Sequence, residues 1–143
     1  MPHRVRAVLL TPAGTLLLMK RLKPGQRPYW VVVGGGVEPN DASPEDALLR
    51  EIREEVGGSA TILRHLHTID RGDERQDFYL AAIDTWSAAD RTGPEFDRPD
   101  RGEYLLEEIP ATTQALDALH LLPEEFAVTL RNAVEHGELI AER

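Results

Sequence analysis

Glu51, Glu54 and Glu55 stand within five residues of one another, a short distance after the run Gly34-Gly35-Gly36. On a helix turning about 100° per residue they share one arc of about 100°, beside an apolar stripe of Leu48, Ile52 and Val56. Like charges at these spacings repel, at a cost of about a few tenths of a kcal/mol per pair. Near a helix C-terminus the backbone dipole disfavours them as well. A hard divalent cation would turn that repulsion into ligation, because Mg2+ and Mn2+ prefer carboxylate oxygens. The plainer reading is a solvated acidic face paired with Arg50 and Arg53. Glycine lets a backbone approach a phosphate or metal closely, although three glycines alone more often mark a tight turn.

Something must position these groups. The chain has 143 residues, 41% hydrophobic and 29% charged, which suits one domain with one core. With 16 basic and 25 acidic residues its net charge is -9, so a nucleic-acid polymer is not an expected partner. It has no cysteine, which excludes disulfides, thiolate metal sites and cysteine nucleophiles. No apolar run approaches the roughly 20 residues that span a bilayer, so no membrane partner is expected. Arg4 and Arg6 precede an apolar stretch that stops at Thr11-Pro12, too short for a signal peptide. A cytoplasmic location is therefore expected.

Arg4–Leu10 and Leu16–Arg21 read as a hairpin, and Tyr29–Val33 as a buried strand. Leu22–Pro28 between them reads as a loop. Ser43 as N-cap, Pro44 at the first helical position and Gly57-Gly58 at the end frame the carboxylate helix. Ala60–Thr68 and Gln76–Ile83 are predicted strands, and Tyr104–Leu106 a short one. Ala111–Leu119 and Pro123–His136 are predicted helices. Trp86–Gly102 is long, polar and aperiodic, a length usually reserved for functional loops. Strands and helices mix without regular alternation, which disfavours a plain doubly wound sheet.

The segment from Gly34 to Gly57 resembles the Nudix box, G-x5-E-x7-R-E-U-x-E-E-x-G-U, where U is bulky and apolar. Arg50-Glu51-Ile52-Arg53-Glu54-Glu55-Val56-Gly57 matches R-E-U-x-E-E-x-G at every specified position. Two departures stand out. With Gly35 as the first glycine, Asp41 occupies the place of the first glutamate and the spacer Ala42–Leu49 is one residue longer. Gly58 replaces a bulky apolar residue.

The resemblance implies an α/β/α sandwich with a mixed sheet, a single Nudix hydrolase domain over residues 1–143, and hydrolysis of a nucleoside diphosphate linked to another group. It implies Mg2+ or Mn2+ held by Glu54 and Glu55, with Glu51 as a further ligand or as the group that deprotonates water. Arg50 would orient a box carboxylate, and the Gly35 or Gly36 carbonyl would offer a backbone ligand. Lys20, Arg21 and Arg27 are the candidate cations for substrate phosphate. A further carboxylate is expected from the long loop, with Glu95 the choice over Asp90, Asp97 and Asp100, and Glu103 the alternative. Trp30 is read as core, and Trp86 and Phe96 as loop-flanking contacts; His65 and His67 are read as structural or exposed. The expected partner is a small nucleoside diphosphate derivative, with homodimerisation open. Pro94 and Tyr79 lie farther beyond the box than the residues that mark ADP-ribose and dinucleoside polyphosphate specialists, which weakens both readings. Two alternatives remain: a Nudix-like module that binds nucleotide without cleaving it, and a protein-docking acidic helix.

Overall fold

The computed structural model describes residues 2–92 and 102–139. Strands β1 (His3–Leu10) and β2 (Thr15–Leu22) form the expected hairpin. Thr11 N–H donates to Thr15 O at 2.9 Å and Gly14 adopts φ 79° in the turn. The two strands pair through Leu9–Leu17 and Leu10–Leu16, then diverge.

The segment 29–36 fills the resulting fork. The single strand expected at Tyr29–Val33 is two strands with different partners: β3 (Tyr29–Val31) pairs with β2, and β4 (Val33–Gly36) pairs with β1. The glycines belong to β4 and are not a tight turn. Apolar periodicity sees both pieces as one run, because periodicity carries no information about which neighbour a strand chooses.

The remaining strands are β5 (Ala60–Asp70), β6 (Arg75–Ile83), β7 (Glu103–Pro110) and β8 (Leu121–Leu122). The sheet runs β5-β6-β1-β2-β3-β8, with β4 added on β1 and β7 on β2. It is mixed, since β1–β6 and β3–β8 are parallel. β7 is longer than the three residues expected, because it pairs with β2 from Glu103 to Pro110 although Glu107 and Glu108 interrupt its apolar pattern. The two-residue β8 is too short for any pattern to reveal.

Helices α1 (Pro44–Val56), α2 (Thr113–Asp117) and α3 (Glu124–Glu135) cover the sheet. β1 explains why both faces are covered. Val5, Ala7 and Leu9 pack with Ala47, Leu48, Ile52 and Val56 of α1. Val8 and Leu10 share the opposite core with Leu116 of α2 and Phe126 and Leu130 of α3. The stretch Ala7–Leu10, buried on both faces, is accordingly apolar throughout. The sandwich is thus the α/β/α arrangement expected. α2 is shorter than the helix expected at Ala111–Leu119: Thr112 caps it by accepting from Ala115 N–H at 3.1 Å. Among the described residues no helix is long and apolar enough to cross a membrane.

Candidate functional site

The sequence of α1 sets its rotation and its ends. Ser43 Oγ accepts from Asp46 N–H at 3.1 Å, Pro44 starts the helix, and Gly57 ends it in the left-handed region at φ 63°. A Cβ at Gly57 would also collide with Ser87 O. Leu48, Ile52 and Val56 are fully buried, so Glu51, Glu54 and Glu55 emerge at the rim of the helix that faces β4.

β4 meets them with backbone. Gly34 N–H donates to Glu55 Oε2 at 3.0 Å. A Cβ at Gly35 would lie 2.6 Å from the Glu51 carboxylate, and one at Gly34 would collide with Val5 O. None of Gly34, Gly35 and Gly36 has a positive φ. These glycines serve by lacking a side chain, not by adopting unusual backbone angles.

Arg50 is the hub. Its Nε donates to Asp41 Oδ1 at 3.0 Å and its Nη2 to Asp41 Oδ2 at 2.9 Å. Nη1 donates to Glu51 Oε1 at 3.0 Å and Glu54 Oε2 at 3.3 Å, and Nη2 also reaches Gly36 O at 3.1 Å. Asp41 further accepts from Glu38 N–H at 2.7 Å. The fork from Arg50 holds the Asp41 carboxyl below its usual range, helped by that backbone bond. Asp41 in turn raises the Arg50 guanidinium above its usual range. The carboxylate that departs from the family pattern therefore does the work of orienting Arg50.

Among the described residues no three carboxylate or histidine side chains are gathered for a metal ion, and Glu51 and Glu54 are turned to Arg50. The donor chemistry nevertheless fits a hard divalent cation: carboxylate oxygens on one helical arc, against a strand with no side chains to crowd them.

Next to Glu55 the fork between β1 and β2 holds a cavity of about 180 Å³. Arg6 of β1, Met19 and Arg21 of β2, Val31 of β3 and Tyr104 of β7 line it together with Glu55. Of the three expected phosphate cations, Arg21 reaches this cavity, its guanidinium 3.6 Å from the Tyr104 ring centre. Lys20, one residue earlier on the strand, faces the other way and lies 5.3 Å over Trp30. Arg27 Nε donates to His120 Nδ1 at 3.1 Å, on a different part of the surface. Glu103 lines a separate cavity with Leu22, Lys23 and Pro24. Glu95 and Phe96 lie outside the described residues.

Trp30 packs on the core as expected, and Trp86 packs on the α1 side. Arg6 and Tyr104 escaped sequence reasoning. For Arg6 a signal exists: it is a charge set among the apolar residues of β1.

The NUDIX domain family model matches residues 1–124. No curated protein matches the sequence. Solved structures share the fold of the chain. A MutT NUDIX hydrolase from Burkholderia pseudomallei is 28% identical, with 90% of this chain and 95% of that one covered at a TM-score of 0.55. An ADP-ribose pyrophosphatase from Streptococcus suis is 18% identical, with 99% and 94% covered at 0.62. An Ap4A hydrolase from C. elegans is 16% identical, with 96% and 99% covered at 0.65. With the box, the sandwich and the family match in agreement, the chain belongs to the Nudix hydrolase family.

Proposed function

We propose that this Nudix pyrophosphohydrolase cleaves a small nucleoside diphosphate derivative and depends on Mg2+ or Mn2+. The observation that carries the reading is the charge balance at Arg50 among the described residues: one guanidinium stands among the carboxylates of Asp41, Glu51 and Glu54, with Glu38 Oε1 3.7 Å away. A purely structural cluster gains nothing from surplus anions.

Glu54 and Glu55 would hold the metal, with Glu51 as a further ligand or as the acceptor of the attacking water's proton. When bound, the ion offsets the charge of substrate and enzyme and polarises a phosphoryl oxygen. Gly34 N–H keeps Glu55 aimed at β4, and the Gly35 carbonyl is the backbone ligand in this reading. Arg50 orients Glu51 and Glu54, is itself held by Asp41, and does not touch substrate in this reading. Arg21, stacked on Tyr104, meets a substrate phosphate from the cavity side. Glu95, outside the described residues, is the proposed further carboxylate, and the cytoplasm the proposed location.

The neighbours include an ADP-ribose pyrophosphatase and an Ap4A hydrolase, so neighbour identity supports the bond cleaved and leaves the nucleotide open. The test is a panel of nucleoside diphosphate esters, scored for released nucleotide and phosphate with Mg2+, with Mn2+ and with excess chelator. Turnover that chelator abolishes and either ion restores supports the reading. Undiminished turnover in chelator refutes it.

A further inference from the structure

We infer that Arg91 is a positioning residue: with segment 86–92 it braces the last turn of α1 against strand β7, and so sets the gap between the box carboxylates and the Arg21–Tyr104 wall. This rests on the proposed function in one point, that Arg21 meets a substrate phosphate.

The second departure from the family pattern, Gly58, has a structural cause. A Cβ there would collide with Thr85 O and lie 3.1 Å from both Ile83 Cδ1 and Trp86 Cα. The chain leaving β6 therefore lies directly on the residue where the pattern has a bulky side chain. Ser87 O crosses Gly57 in the same way. The close approach has a use, because a helix leaves its last carbonyls without partners of its own. Ser87 N–H donates to Val56 O and Thr92 N–H to Glu54 O, both at 3.0 Å. Trp86 packs with the apolar residues under α1. Segment 86–92 is thus docked on the turn that carries Glu54 and Glu55, and a bulky residue at position 58 would lift it off.

The segment is tied at its other end as well. Ala88–Asp90 form a single 3-10 turn. Arg91 follows it and donates from Nε to Ala88 O at 3.3 Å and from Nη1 to Tyr104 O at 2.7 Å. The second bond is short and charge-assisted, the stronger kind. It grips main chain, so it fixes where β7 starts whatever side chain stands there. Among the described residues β7 pairs with β2 alone, and the end of such a strand frays unless something ties it. Arg21 faces Tyr104 across that pairing, stacks on its ring and donates from Nε to Glu103 O at 3.4 Å. Arg91 and Arg21 together hold two successive carbonyls of β7.

Between these anchors lies open space. Glu55 lines one side of the fork cavity, and Arg21 and Tyr104 line another. Contacts across an open cavity do not fix its width, so the width is set by whatever joins its walls from outside. Segment 86–92 makes that join, from Glu54 O and Val56 O at one end to Tyr104 O at the other. A diphosphate that meets the carboxylate side and Arg21 at once needs both held to within about 0.5 Å. Arg91 does this without reaching the substrate.

The experiment titrates the full chain with methylenediphosphonate, an uncleavable form of the diphosphate core, by calorimetry in saturating Mg2+. Beside it run kcat and KM for any ester of the panel that is cleaved, and a thermal melt of the same preparations. Arg91→Met should weaken diphosphonate binding and raise KM by about tenfold, with kcat within about threefold, since a small misplacement of a binding group is costly. Arg91→Lys keeps a donor for Tyr104 O and should recover most of the affinity. Arg21→Met should cost about as much as Arg91→Met. The double variant should lose no more than the worse single one, because Arg91 acts through the wall that carries Arg21. A role in folding alone would lower the melting temperature and leave the affinity of the folded protein unchanged, which overturns the inference. Additive losses in the double variant overturn it too. If Arg21→Met weakens binding and Arg91→Met does not, the brace fails and the phosphate reading of Arg21 stands. If Arg21→Met leaves affinity unchanged, the phosphate reading fails and takes the inference with it. If no ester is cleaved yet the calorimetric pattern holds, the brace stands and the hydrolase reading fails.

Discussion

Two polar clusters in this molecule are built from similar side chains and have opposite balance. In the first, Arg50 meets Asp41, Glu51, Glu54 and, at longer range, Glu38. In the second, Asp77 of β6 is one buried carboxylate surrounded by donors. Thr68 Oγ1 reaches it at 2.5 Å, His65 Nε2 at 2.9 Å, His3 Nε2 at 2.7 Å and Arg75 Nε at 3.0 Å. Burial alone would raise the Asp77 carboxyl, but the bonds from Thr68, Arg75, His65 and His3 outweigh it and hold the group well below the usual carboxylate range. The Asp77 cluster is closed, with its single anion satisfied from strands β1, β5 and β6. Among the described residues the Arg50 cluster sets four carboxylates around one guanidinium. Counting charged residues would not separate them. The sign of the balance does, because a group of carboxylates suits a cation and a group of donors does not.

The sharpest way to break this contrast is to remove charge from each cluster without changing shape. Glu54→Gln and Glu55→Gln should each lower kcat by about a hundredfold or more, the scale of losing a key electrostatic group. Melting temperature should hold or rise, because the surplus repulsion is relieved. Steady-state kinetics and a thermal melt on the same preparations decide it; losses below about threefold in both variants would sink the metal assignment.

Arg50→Lys comes next. An ammonium cannot reproduce the two-bond contact with Asp41 and still reach Glu51 and Glu54. A drop of about ten- to a hundredfold in apparent metal affinity is expected, as for other residues that orient ligands. The kcat-against-Mg2+ curve reports it, and an unchanged midpoint would mean that Arg50 positions nothing.

Asp77→Asn should do the reverse: leave kcat at moderate temperature unchanged and cost stability. Losing the charge that four donors share should cost about 2–4 kcal/mol, or roughly 7–13 °C in a chain of this size. The pH dependence has a definite sign. A carboxylate depressed in the folded state contributes stability above its unfolded pKa of about 3.9, and that contribution fades as pH falls through the acid range. The wild type should therefore lose stability toward low pH more steeply than Asp77→Asn. Urea unfolding at neutral and acid pH makes the comparison, and parallel slopes would show that Asp77 is not a linked group.

The contrast also explains what the sequence disclosed. α1 was legible from end to end, because cap, apolar stripe and terminal glycine are all local and agree with one another. Its carboxylate arc followed from helical geometry. The fork was not legible: Tyr29–Val33 reads as a single apolar run, and the change of partner at Val32 depends on strands far away in sequence. The Asp77 cluster was hidden for the same reason, since His3, His65 and Asp77 meet through strand pairing. His65 and His67 were read together as structural or exposed, yet a bulge between them gives them different surroundings. His65 bonds Asp77, while His67 packs by Phe78 and Phe126 with its Nε2 buried and without a partner among the described residues. Of the basic residues at the end of β2, alternation alone dictated that Lys20 and Arg21 face opposite ways, although it could not say which one faces the cavity.

The smallest expected effect concerns the place where this chain departs from its family. Asp41 has a shorter arm than the glutamate of the pattern, and the spacer that follows it is one residue longer. In the structure Asp41 still meets both Nε and Nη2 of Arg50, and it also accepts from Glu38 N–H within its own turn. A longer spacer is one way for the backbone to make up the reach that the shorter side chain lacks. If the two departures compensate, restoring one of them alone is mildly harmful. Asp41→Glu should push the carboxylate past the Arg50 fork and break the local turn bond, lowering kcat by about threefold or less. Asp41→Glu combined with deletion of Ala42 should return kcat toward the wild-type value, whereas deletion of Ala42 alone should cost more than either. The three variants measured side by side at saturating Mg2+ form a cycle, and its coupling is the quantity that matters. Independent, additive losses would mean that the spacer and Asp41 do not act together, and that the Arg50 cluster tolerates either change for some other reason than the geometry of this turn.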